Sequence, residues 1–286
     1  MGVLELKVHK KYRYIKIARK LFFWVFILLI LVFFISPLFW LISTSLKNYI
    51  DAFAMPPKFI FKPTFENYAR ILGRADFFGF MMNSVTCSLV STALALILGV
   101  PCAYAIAMFK HPNAKSTSFF FLSARIAPPI MALFPLYIIF SRMGILGTKI
   151  PIIIMYTIIC LPIVVWLMPV YFREIPQEMR EAAIIDGCNE LNVFARIAIP
   201  VVRGSIAATA IYCIILTWNE FLIALVMSSR ASQTLPVTIT SFMTFQGTEW
   251  GPLSAAGTII MVPMIIFGFF IQKYFARGIV SGSIKG

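Results

Sequence analysis

Six apolar runs divide the 286 residues, and each is long enough to cross a bilayer as a helix. They span Leu21–Ser43, Gly79–Phe109, Phe119–Phe140, Ile150–Val170, Ser205–Met227 and Leu253–Ile271. About 20 helical residues cover the roughly 30 Å of hydrocarbon in a membrane. A spanning segment must satisfy its own backbone hydrogen bonds, so runs of this length predict an all-α integral membrane protein with six transmembrane helices. Composition agrees: 60% of the residues are hydrophobic and 13% charged, where a soluble domain carries about 45–50% and about 25%. The fourth run contains Pro151, Pro162 and Pro169, which predicts a kink whose freed carbonyls are satisfied by neighbouring helices.

The net charge of +14 sits beside apolar runs rather than on an amphipathic face. It reads as orientation in the bilayer, with lipid and not nucleic acid as the surrounding partner. With the N-terminus inside, the inner segments hold sixteen Lys and Arg and the outer loops eight, and Arg125 lies within a span. That asymmetry places both termini in the cytoplasm. The first run exceeds a signal-peptide core of about 7–15 residues and no A-x-A site follows, so it is expected to be an uncleaved signal anchor. Five scattered cysteines lack metal-ligand spacing and read as small core residues. The loop from Ser45 to Phe78 contains Met55-Pro56-Pro57, with Thr64 as an N-cap for a short helix at Asn67–Leu72. This loop either meets an external partner or packs over helix ends.

Between the fourth and fifth runs lies a polar island, QEMREAAIIDGCNELNVFARIAIPV at 177–201. Pro176 suits a helix start, where its missing N–H has no partner to lose. Gly187 suits the end, where the left-handed conformation is needed. Met179, Ala182, Ala183 and Ile185 then form a small apolar patch flanked by Glu178, Arg180, Glu181 and Asp186. A second helix is predicted from about Leu191 to Ile199, stopping before Pro200. Two helices joined by a tight turn would act as a rigid lever on the adjoining spans.

The spacing Glu181-Ala182-Ala183, Gly187, Ile197-x-Ile199-Pro200 resembles the EAA loop of ATP-binding-cassette importer permeases, with Ile199 where that pattern has Leu. Pro101-x-Ala103-Tyr104-Ala105-Ile106-Ala107, Asn67-Tyr68, Asn83-Ser84, Pro128-Pro129, Pro135-Leu136-Tyr137, Trp218-Asn219-Glu220-Phe221 and Gly278…Gly282-x-x-Lys285-Gly286 are similar to the carbohydrate branch, and most of all to the second permease of maltose-type systems. The resemblance covers essentially the whole chain. It implies the type I importer transmembrane-domain fold over 79–272, preceded by a basic cytoplasmic tail (1–20) and a first helix with its outer loop (21–78), and followed by a tail at 273–286. It further implies a coupling loop at about 173–200, in which Glu181, Ala182, Ala183, Asp186, Gly187, Ile197 and Pro200 serve an ATPase subunit. The implied partners are a second permease subunit, two ATPase subunits and an extracytoplasmic sugar-binding protein, in a bacterial or archaeal cytoplasmic membrane. No cofactor is expected in this chain, since ATP and magnesium would bind the ATPase.

Arg125 and Glu220 are charged residues well inside spans, where a charge at the bilayer centre costs at least about 2.5 kcal/mol. Each must face protein or water. One reading puts them with Asn83, Tyr137, Trp218 and Asn219 on a translocation path, where amides, hydroxyls and rings suit a sugar. The other gives Arg125 and Glu220 to helix packing or a subunit interface. A stand-alone secondary transporter is the alternative function, but it would carry internal repeats and poised intramembrane acids. An enzyme is disfavoured: His9 and His111 are isolated, and Gly144-Ile-Leu-Gly147-Thr148-Lys149 lacks the phosphate-loop spacing.

Overall fold

A chain surrounded by hydrocarbon has no water to bond its backbone, so apolar runs close their hydrogen bonds along themselves. The computed structural model describes residues 2–109, 116, 117, 119–121, 123, 129–245 and 247–282. The helices are α1 (Gly2–Ser45), α2 (Tyr49–Ala52), α3 (Glu66–Leu72), α4 (Phe77–Met108), α5 (Pro129–Arg142), α6 (Lys149–Phe172), α7 (Gln177–Ile185), α8 (Glu190–Val193), α9 (Ile199–Trp218), α10 (Leu222–Met227) and α11 (Trp250–Gly282). A π turn at Phe194–Ala198, a 3-10 helix at Leu235–Phe242 and a hairpin of β1 (Met243–Thr244) with β2 (Gly247–Thr248) complete the described elements.

Among the described residues, five helices are long and apolar enough to cross a membrane. Within the expected span Phe119–Phe140, residues 122 and 124–128 lie outside the described residues. Its second half lies in α5, which has 14 residues. Three expectations are corrected. First, the expected span Leu21–Ser43 is found at Arg19–Ser45, but its helix extends back through the basic tail to Gly2, because Lys and Arg are good helix formers that continue the turn. Second, the run expected as one helix at Ser205–Met227 ends at Trp218 and restarts at Leu222. Third, the second loop helix does not stop before Pro200. It passes from α8 through the π turn into α9. A π turn is wider than an α turn, and it precedes the position where the proline ring would crowd the carbonyl four residues back. By contrast, α6 runs unbroken across Pro162 and Pro169, and Pro151 sits in its first turn, where no bond is lost.

The chain divides into two compact units. One comprises Met1–Arg70 with Glu249–Thr258. Here the end of α1 leaves carbonyls unbonded, and Asn67 supplies both amide hydrogens, to Ser45 O at 2.9 Å and Lys47 O at 2.8 Å. Tyr68 and Ser45 share a hydroxyl hydrogen bond of 2.7 Å. The Lys47 ammonium is buried over Trp40, 4.6 Å from the ring centroid, and Phe61, at 5.2 Å. Arg70 pairs with Glu249 at 2.9 Å. The Thr64 hydroxyl accepts from Glu66 N at 3.2 Å as α3 begins.

The other unit is Ile71–Thr248 with Ile259–Gly286. Its core is the seam between α4 and α6: Ala95, Val100, Ala103 and Tyr104 meet Cys160, Val164, Met168 and Phe172, with Val202 and Cys213 of α9 closing the side. Small residues let membrane helices approach closely. A Cβ on Gly99 would stand 2.7 Å from Val164 Cγ1, so this seam needs glycine. A second cluster of Leu133, Phe140, Ile152, Met155, Tyr156, Ile223 and Met227 holds α5 and α10 on α6.

Candidate functional site

The polar island folds as a capped helical reversal. Pro176 is the N-cap of α7, so the helix starts one residue later than expected, and the Pro176 carbonyl accepts from Met179 N at 3.2 Å. At the other end the Gly187 N–H reaches Ile184 O at 3.0 Å and the Cys188 N–H reaches Ala183 O at 2.9 Å. This pair of bonds is the Schellman motif, which satisfies carbonyls that a helix end leaves orphaned. It requires Gly187 at φ +85°, although a side chain there would meet open space. The glycine is therefore needed for its backbone freedom. Asn189 then caps α8 by accepting from Asn192 N at 2.8 Å.

The loop's surface differs from the expected patch. Ala183 turns inward and is 6% exposed, whereas Glu181, Ala182, Asp186 and Gly187 face outward. The exposed apolar residues are Met179, Ile184, Ile185 (84%) and Leu191 (76%). Ile184 and Leu191 escaped the sequence reading because they stand on opposite sides of the glycine turn and share no helical period. Ile197 is half-buried in the π turn and Pro200 is exposed at the start of α9.

A polar cluster lies beneath α7. Arg180 forms a side-on pair with Glu190, through Nη2 to Oε1 and through Nε to Oε2 at 3.4 Å. The hydrogen bond that Arg180 donates to Glu190 raises the guanidinium pKa above its ordinary value. Tyr104, near the C-terminal end of α4, donates to the same Glu190 Oε2 at 3.4 Å. Its ring packs against Phe194 (5.0 Å) and Phe172 (5.4 Å), and Arg180 lies 5.8 Å over Phe109. The signal for this cluster was present in the sequence as opposite charges flanking the Gly187 turn.

The residues expected on a translocation path separate into two groups. Asn83 is buried and donates both amide hydrogens, to Ala231 O and Gln233 O, each at 2.9 Å. Beside it Ser84 Oγ accepts from Leu235 N at 2.7 Å. Trp218 is also buried and its Nε1 donates to Ile260 O at 3.2 Å. Tyr137 and Asn219 are exposed and Glu220 is half-buried. Arg125 lies outside the described residues.

Asn219 and Glu220 mark the break between α9 and α10, in a stretch with neither Gly nor Pro. Thr217 Oγ1 bonds back to Cys213 O at 2.9 Å, and Asn219 Nδ2 to Ile215 O at 2.7 Å. Such bonds offer the backbone an alternative to helical continuation. Glu220 Oε1 then accepts from Ile223 N at 2.9 Å, capping the new helix. Buried Tyr156 donates to Glu220 O at 3.0 Å. Non-helical backbone at membrane depth is tolerated where protein or a water-filled cavity replaces the lost bonds. Among the described residues, no group of three or more His, Cys, Asp or Glu stands together to hold a metal.

Residues 95–281, which contain this whole loop, match the family described as the binding-protein-dependent transport system inner membrane component. The chain belongs to that family. It is thus a multi-pass inner-membrane permease component of an ATP-binding-cassette transport system. Among its relatives, the probable ABC transporter permease protein y4oR of Sinorhizobium fredii is 34% identical over 94% of this chain and 96% of that protein. The diacetylchitobiose uptake system permease protein DasC of Streptomyces coelicolor is 26% identical over 88% and 92%. The trehalose transport system permease protein SugB of Mycobacterium tuberculosis is 29% identical over 94% and 99%. In fold, the permease is similar to a chain of a bacterial ABC transporter involved in the import of the acidic polysaccharide alginate, with a TM-score of 0.74 and 20% identity over 88% of this chain and 94% of that one.

Proposed function

We propose that this permease is one of two membrane subunits of an importer for an oligosaccharide or sugar derivative, with α7 as its docking element for an ATPase subunit. The observation that carries the reading is the exposed, Schellman-capped α7 between two spanning helices, bearing Glu181, Ala182, Asp186 and Gly187 on its surface. Small and apolar side chains there suit a groove on a partner, and flanking charges fix the register. Sixteen inner against eight outer Lys and Arg support placing both termini and α7 in the cytoplasm. ATP and magnesium belong to the ATPase subunits, and an extracytoplasmic binding protein delivers the sugar.

ATP-driven closure of the ATPase pair pulls on α7 and turns the path outward-facing, and hydrolysis resets it. The sugar class rests on relatives named for diacetylchitobiose and trehalose. Of the described path residues, Tyr137, Asn219 and Glu220 are the ones with exposed surface to offer a passing hydroxyl. Asn83 and Trp218 serve the path by holding its walls.

The test is purification of this chain from its native membrane in mild detergent with an ATP analogue, after placing a cysteine cross-linker at Asp186. Recovery of a second permease and a cross-linked phosphate-loop ATPase supports the reading. Recovery of this chain alone favours the stand-alone secondary transporter. Glu181→Lys should leave the chain inserted and block sugar uptake. Normal uptake in that variant removes the docking assignment.

A further inference from the structure

The Glu190 carboxyl gathers three separate elements at one point. It belongs to the first turn of α8, receives Arg180 of α7 on both oxygens, and receives the Tyr104 hydroxyl of α4 on Oε2. Arg180 and Glu190 side chains are 24% and 38% exposed, so solvent reaches the pair only partly, and an aromatic cluster adjoins it through Tyr104 and Phe109. That cluster is Tyr104, Phe109, Phe172 and Phe194. Each ring comes from a different part of the frame: the C-terminal end of α4 and the residue beyond it, the end of α6, and the π turn leading into α9.

The backbone alone connects α7 to these helices poorly. On one side it leaves through the non-helical stretch Arg173–Pro176, and on the other through the Gly187 turn. Neither link is regular helix, so each can absorb part of a displacement by rotating its dihedrals. The side-chain clasp bridges both. A bidentate Arg–carboxyl pair fixes direction as well as distance, and the tyrosine extends it to α4.

We propose that Arg180, Glu190 and Tyr104 form a clasp that positions α7 on the spanning helices, so that displacement of α7 moves α4 and α9 with it. These are positioning residues, acting through α7. The proposal rests on the reading of α7 as the ATPase-docking element. A clasp of this kind passes signals both ways, since coupling between two sites is reciprocal.

The test uses the complete importer in nanodiscs, with the extracytoplasmic binding protein as the probe and stimulation of ATP hydrolysis as the readout. Glu190→Gln and Arg180→Gln should each retain the ATPase chain at wild-type stoichiometry, while stimulation by the binding protein falls at least about fivefold, the lower end of typical couplings. The double exchange Arg180→Glu with Glu190→Arg should restore most of the stimulation. Tyr104→Phe keeps the ring packing and removes only the hydroxyl, so it remains informative if a charge variant fails to assemble; a fall of about twofold to threefold is expected from losing one hydrogen bond. Unchanged stimulation in the assembled variants overturns the clasp. Loss of the ATPase chain also overturns it, since the pair would then merely shape the docking surface. A wild-type complex that holds no ATPase chain refutes the docking reading instead, and is told apart by needing no variant.

Discussion

The permease interrupts its helices in two contrasting ways. At Gly187 the chain turns in a polar segment, and the turn is made by the backbone itself: one left-handed glycine and two main-chain hydrogen bonds, to Ile184 O and Ala183 O. At Asn219–Phe221 the chain breaks inside an apolar run, without glycine or proline, and the break is made by side chains. Thr217 and Asn219 bond back along α9, Glu220 caps α10, and Tyr156 reaches across from α6. Where water can complete a helix end, a special backbone residue suffices. Where it cannot, the lost bonds must be replaced one by one with polar groups carried by the sequence.

This contrast can be broken experimentally. The largest effect is expected for Gly187→Pro, which removes the N–H donated to Ile184 and fixes φ near −65°; about 3 kcal/mol of local destabilisation is expected. Hydrogen exchange should rise across Gln177–Ile185 while α9 and α10 stay protected. Next comes Gly187→Ala: the site has room for a Cβ, so the cost is the left-handed backbone alone, about 1–2 kcal/mol. At the second interruption, Glu220→Ala removes the cap on Ile223 and should cost about 1 kcal/mol, whereas Glu220→Gln keeps an oxygen in place and should unfold within a degree or so of the parent in a thermal melt. The smallest effect is expected for Tyr156→Phe, about 0.5–1 kcal/mol for one hydrogen bond, measured by the same melt. If Glu220→Ala and Tyr156→Phe both prove silent, the break is held by packing and the contrast fails.

The same difference explains what could be read in advance. The ends of α7 were legible to within a residue, because Pro176 and Gly187 act locally and need no knowledge of neighbours. The seam of α4 and α6 was legible as two long apolar runs, although the need for Gly99 was not, since it depends on where Val164 lies in space. The break after Trp218 was hidden: hydropathy averages over Asn219 and Glu220, and their bonding partners come from Tyr156 and from turns before and after. The passage through Pro200 was hidden for a related reason, as the π turn that accommodates it has no one-letter signal. Asn83 was recognised as a notable polar residue in a span, but its partners stand 148 and 150 positions away.

That separation has a consequence for how the protein is made. When α4 enters the bilayer, the carbonyls that will receive the Asn83 amide have not yet been synthesised. They arrive only after α6, the α7–α8 loop and α9 have been threaded. Until then the N-terminal end of α4 carries an unbonded amide and, one residue on, an unbonded Ser84 hydroxyl, and the 3-10 helix at Leu235–Phe242 has nowhere to seat. Biogenesis of this subunit therefore closes late, with delivery of residues 231–235 to a helix inserted early. A ribosome stalled before residue 231 would hold a chain with most of its membrane helices in place and α4 still unfinished at one end.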